Sequence, residues 1–122
     1  MLKRDKKVYL KDILDAGEEL LQLERDAEEI QKFLANNYYY RTAERLFQIV
    51  GESIYKLNQL DRSIAISDKA QIMGLRHLIV HDYDRVDNAR LWLFMKVYLQ
   101  PLLEDVNLLL ELELKNETPP QP

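Results

Sequence analysis

The chain has 122 residues, 47% of them hydrophobic and 31% charged, with a formal net charge of -4 at pH 7. That length fits a single domain with its own core, and the lack of cysteine excludes a disulfide scaffold, a thiol nucleophile and a thiolate zinc site. No apolar run reaches the ~20 residues of a bilayer span, and no signal-type apolar stretch follows the charged N-terminus, so a cytoplasmic protein without membrane contact is expected.

Three Gly and four Pro occur, and three of the Pro fall in the last four residues. The body of the chain therefore has few helix breakers, which predicts an all-α fold. A first helix is expected over about 8–34. Ile13, Ala16, Leu20, Leu23, Ala27, Ile30 and Leu34 recur at three- and four-residue steps, opposite an acidic face of Glu18, Glu19, Glu24, Glu28 and Glu29. Asn36-Asn37 signals a turn. A second helix over about 38–57 follows, with Ala43, Leu46, Phe47, Val50, Ile54 and Leu57 inward and Gly51 in its middle. A close crossing of backbones accounts for that glycine.

Residues 58–67 read as a polar connector. A third helix starts at Asp68, or at Ser67 as N-cap, and ends near His81 or Asp82. Asp87 is placed to cap a fourth helix running to about Leu114, with Val86 and Leu91 as a hydrophobic staple and a kink near Val97 imposed by Pro101. Short links between four main helices predict an antiparallel up-down bundle. One domain over 1–115 and a flexible tail over 116–122 are expected. Leu21, Leu91, Leu93 and Tyr98 widen the apolar faces, which fits either a dimer surface or a thicker core.

The charge is uneven. Residues 41–96 hold nine Lys/Arg against seven Asp/Glu, while both flanks are acidic. An anion-facing centre and a chance spread of solvated faces both account for this. Tyr38-Tyr39-Tyr40 is more readily a helix start with rings in the core than a base-stacking platform, and Trp92 reads as core or interface.

Chemistry concentrates in Arg76-His77-Leu78-Ile79-Val80-His81-Asp82-Tyr83, which holds both histidines of the chain. His77 and His81 share a helix face, a spacing that serves metal ligation with Asp82 or Asp84. No glutamate follows His77 and no third histidine exists, so no metal and no cofactor are expected. A histidine capping the helix C-terminus is the plainer reading. Arg76 and His81 are five apart, about 140° around an ideal helix, and converge only if His81 lies past the last regular turn. Together with Tyr83 they suit a phosphodiester. Arg offers a charged fork for phosphate, His moves a proton near neutrality, and Tyr orients a phosphate or stacks on a base. RNA carries its own 2′-hydroxyl nucleophile, so its cleavage requires no metal. Glu52, facing the bundle, is a candidate to bond either Arg76 or a neighbouring helix.

Arg76, four intervening residues, His81, one residue and Tyr83 match the Arg-x4-His-x-Tyr signature of HEPN-domain ribonucleases, and the chain resembles their HepT toxin branch. Tyr9-Leu10-Lys11-Asp12-Ile13-Leu14, Ile49-Val50-Gly51-Glu52-Ser53, Met73-Gly74-Leu75-Arg76 and Val80-His81-Asp82-Tyr83 with Val86-Asp87 carry the likeness over about 8–112. His77 departs from the Asn common after the arginine in this branch.

The resemblance implies a HEPN-like helical homodimer in which two signature segments form one RNA-cleaving groove. It implies an endoribonuclease toxin of a type II or type VII toxin–antitoxin system acting on tRNA or mRNA. Arg76 and His81 would be catalytic, with His77 and Tyr83 assisting or binding phosphate. It also implies an MntA-like nucleotidyltransferase antitoxin that transfers AMP to Tyr83. A non-catalytic helical module that binds a nucleotide or such a partner is the competing reading, and a plain structural dimer is a third.

Overall fold

A computed structural model describes residues 5–81 and 87–117. Its elements in chain order are α1 (Lys6–Ala27), α2 (Ile30–Ala35), α3 (Asn37–Leu60), α4 (Lys69–His81), α5 (Asn88–Val97) and α6 (Leu99–Glu117). The described residues are all-α, as the scarcity of breakers predicts.

Helix α1 starts where the Asp5 carboxylate accepts from the Lys7 N–H, and buries Leu10, Ile13, Ala16, Leu20, Leu23 and Ala27. The expected single helix over 8–34 is broken after Ala27. Glu28 takes φ 70, a left-handed conformation, and its N–H closes on the Glu24 carbonyl. The break re-aims the chain. Phe33 becomes fully buried, whereas Leu34, expected inside, is 41% exposed. The Phe33 ring lies 5.3 Å from Trp92, so the aromatic contact sets the new direction.

Helix α3 is the central element, packing on α1 and α4 and also on α2 and α5. Asn36 caps it by accepting from the Tyr38 N–H. The helix runs to Leu60, past the expected end at Leu57, because the Asp61 N–H still reaches the Leu57 carbonyl. Asp61 then ties the far end of α3 to the start of α1. It accepts from the Ser63 hydroxyl and backbone N–H and pairs with Lys6 at 3.2 Å. The Ser63 hydrogen bond, then Lys6, holds the Asp61 carboxyl below the usual aspartate range.

The connector is less polar in effect than in composition, since Ile64 and Ile66 both tuck into the core. Asp68, expected to begin the next helix or to follow Ser67 as its N-cap, takes φ 57 and stands just before α4, which starts at Lys69, with its carbonyl accepting from the Ile72 N–H. Asp87 caps α5 through the Ala89 N–H, as expected. Val86 of the expected staple, the turn at 82–85 and the tail beyond 117 lie outside the described residues. Where the kink is expected, the helix is interrupted at the single residue Tyr98 between α5 and α6, three residues before Pro101, and the expected fourth helix becomes two. Helix α6 then continues through Glu117.

Phe47, Phe94 and Tyr98 stack through the interior, with centroids 6.1 Å and 4.7 Å apart. Trp92 is buried core, with the Lys96 ammonium over its ring. Of the residues that widen the apolar faces, Leu91 is fully buried and Leu93 is exposed. Gly17 permits the α1–α6 crossing, since a Cβ there would lie 2.4 Å from a Leu103 methyl.

Candidate active site

Helix α4 buries Ile72, Leu75 and Ile79, at steps of three and four. That stripe sets Arg76 at the edge of the packed face, about 100° from Leu75, and turns His77 about 200° away. Accordingly Arg76 is partly buried and His77 exposed.

Three contacts fix Arg76. Its stem lies against Gly51, where an added Cβ would come within 2.2 Å of the Arg76 Cβ and 3.4 Å of its Cα. The close crossing foreseen for Gly51 is therefore made with α4. Arg76 Nε and Nη2 donate to Glu52 Oε2 at 2.9 Å and 2.6 Å. Two of the five guanidinium N–H donors are thus engaged among the described residues. The guanidinium carbon also sits 5.1 Å from the centroid of the Tyr55 ring.

The Arg76 side chain is 20% exposed and that of Glu52 43%, so the pair is a wet, geometrically good contact at the surface and not a buried ion pair. Its net worth is that of a discounted surface bridge, at most about 1 kcal/mol. Its effect is orientation: a long flexible arginine is held in one place by three residues of α3.

The structure brings Glu52 and Arg76 together. His77 faces away from the packed side of α4. His81 is the last residue of α4, and its side chain, with the whole of Tyr83, lies outside the described residues. Tyr55 escaped the sequence reading. Its signal was local, three residues after Glu52 on the same side of α3. Tyr38 is 73% exposed and Tyr39 and Tyr40 pack against the core edge. They sit fourteen to twelve residues before Glu52, about 20 Å along α3 from it, and take no part in the site.

The Gly51 crossing gives a prediction of sign. In a free helix Gly→Ala stabilises by about 1 kcal/mol. Here the new methyl meets backbone-near atoms of Arg76 that cannot swing aside, so Gly51→Ala is expected to destabilise by about 1–3 kcal/mol. Urea unfolding checks this, and the penalty should shrink in a Gly51→Ala, Arg76→Gly double variant.

No helix among the described residues is long and apolar enough to cross a membrane. Among curated proteins, the chain is 27% identical over 109 residues to a protein named "Putative RNase MJ1380" from Methanocaldococcus jannaschii, covering 88% of this chain and 99% of that one. It is 25% identical over 93 residues to "Putative RNase MJ1216" of the same organism, covering 75% and 76% of the two chains. "Putative RNase MJ0125" matches at 25% over 93 residues, with coverage of 75% and 79%. No solved structure matches the chain significantly. The family model described as "Ribonuclease HepT-like" matches residues 13–109, which takes in Glu52, Arg76, His81 and Tyr83, and the chain belongs to this HepT-like ribonuclease family.

Proposed function

We propose that the protein is a metal-independent endoribonuclease, the toxin of a toxin–antitoxin pair, acting in the cytoplasm as a homodimer with one HEPN-like domain over 1–115. The observation that carries this reading is the clamped Arg76 in the C-terminal half of α4, inside the segment matched by the family.

In this mechanism two α4 ends face one another across the dimer axis. Arg76 holds the non-bridging oxygens of the scissile phosphate and offsets the charge of the phosphorane. His81 of one protomer takes the proton from the ribose 2′-hydroxyl. The 2′-oxygen attacks phosphorus, the bond from phosphorus to the 5′-oxygen breaks, and His81 of the partner subunit gives that oxygen a proton. The products are a 2′,3′-cyclic phosphate and a 5′-hydroxyl end. One imidazole cannot readily stand on both sides of a phosphate, and two related by symmetry can. Tyr83 and His77 assist phosphate binding. Transfer of AMP from ATP to the Tyr83 hydroxyl by an MntA-like nucleotidyltransferase, with the α–β phosphoanhydride bond broken and pyrophosphate released, sets a phosphate beside Arg76 and closes the site to RNA.

The test is incubation of structured tRNA and mRNA fragments with purified protein in excess EDTA. Wild type is expected to leave cyclic phosphate ends, and His81→Ala to lose at least 10²-fold in rate. Equal cleavage by the variant, or none by either protein, overturns the reading.

A further inference from the structure

Around α3, Gly51 and Tyr55, which meet Arg76, lie to one side of Glu52. On its other side α1 and α3 enclose a groove of about 420 Å³. Glu52 belongs to both places: its carboxylate holds Arg76 and its side chain walls the groove.

We propose that this groove seats a short stretch of single-stranded RNA leading away from the scissile phosphate, with Lys56 and then Arg45 each taking a later phosphate of that stretch; the assignment rests on the ribonuclease reading above. Arg45 and Lys56 stand at opposite ends of the groove, eleven residues apart or about 16 Å along α3. Both are exposed, and among the described residues neither is in an ion pair.

The middle of the groove is built for something other than phosphate. Tyr9 and Ile49, half-buried against the core, give it an aromatic and apolar floor on which a base or ribose can lie. Ser53, the one polar residue among the described residues that is buried, adds its hydroxyl, and Gln48 an amide with donor and acceptor. Asp12 and Glu52 also line it. Their negative charge disfavours a phosphate at mid-groove and leaves the two cationic ends as the anion positions. Lys56 lies one turn, about 6 Å, from Glu52. Since Glu52 also holds Arg76, the Lys56 end of the groove is the end nearer the scissile phosphate.

The experiment uses full-length protein carrying His81→Ala to prevent turnover, with fluorescein-labelled single-stranded RNA followed by anisotropy over a range of salt. Adding Arg45→Ala and Lys56→Ala is expected to weaken binding about tenfold or more and to flatten the salt dependence by about 1.4 in the log–log slope, as for two lost phosphate contacts. Arg45→Lys with Lys56 kept should retain most affinity. Lys32→Ala with Lys96→Ala, on other faces of the bundle, should leave affinity and slope near their starting values. Circular dichroism on each variant separates loss of binding from loss of fold.

Unchanged affinity and slope in the groove variant overturn the proposal, as does an equal loss from the Lys32 and Lys96 pair. Displacement of the RNA by AMP at similar concentration also overturns it, making the groove a pocket for free nucleotide. If wild type cuts RNA while the groove variant binds as before, the groove falls and the ribonuclease reading stands. If wild type cuts no RNA, that reading falls and takes with it the groove's place beside a scissile phosphate.

Discussion

Arg76→Ala is expected to slow RNA cleavage by about 10²–10³-fold, the usual effect of removing one preorganised charge donor from a transition state. The loss should appear in kcat as well as kcat/KM, because the phosphorane carries more charge than the bound phosphodiester. The fold should survive. Alanine keeps the Cβ that packs on Gly51, so the α3–α4 crossing retains its contact, and Glu52, 43% exposed, can be hydrated once its partner is gone. Arg76→Lys should recover little, since an ammonium keeps the charge but not the planar fork that engages Glu52 through Nε and Nη2. Single-turnover rates with circular dichroism as a fold control decide it. Wild-type rates for Arg76→Ala would remove the arginine from the chemistry.

Glu52→Gln addresses the same point from the other side. The amide can still accept from Arg76 but no longer attracts it as an anion, so a rate loss smaller than that of Arg76→Ala accords with orientation as the work of Glu52.

Much of this arrangement was legible in the sequence, for physical reasons that differ from element to element. Helix α3 could be read almost whole. Its apolar residues repeat at helical spacing, and Asn36-Asn37 marks the turn before it. Asp87 was legible as a cap because its side chain supplies an oxygen where the first free N–H groups occur, and the break at Tyr98 because Pro101 lacks an N–H. The break at Glu28 was not. Glutamate carries no turn signal, the acidic stripe continues across it, and the left-handed backbone is imposed by where Phe33 must go. That is a tertiary demand, invisible in a local window.

The buried Ile64 and Ile66 were masked by polar neighbours in the same way. At the site, Arg76 could be named as one of two candidate partners of Glu52, because Glu52 faces the bundle, and the structure selects it. Tyr55 depends on the angle at which α3 and α4 cross, which the spacing of residues along either helix does not contain. The roles given to His81 and Tyr83 come from the signature they share with a family and from the chemistry of imidazole and phenol.

Phe33→Ala carries the largest expected effect on stability. The ring is fully buried, stands 5.3 Å from Trp92 and is the one buried residue of α2. A six-residue helix has no stability of its own, so α2 holds its place only through that anchor and its contacts with α1, α3 and α5. Removing the ring costs its burial and leaves a cavity beside Trp92 that two left-handed or extended junctions, at Glu28 and Asn36, hinder from collapsing. A loss of about 3–5 kcal/mol is expected, a large share of the ~5–15 kcal/mol a domain of this kind possesses. Phe33→Leu should lose less, since it refills part of the space. Thermal and urea unfolding give the values, with Trp92 fluorescence reporting the opened contact. Below its transition the variant should still cleave RNA, because α2 makes no contact with α4, where Arg76 resides. A Phe33→Ala protein of wild-type stability would mean that the chain does not bend at Glu28 to bury this ring. One that is folded but inactive would place α2 in the site instead of behind it.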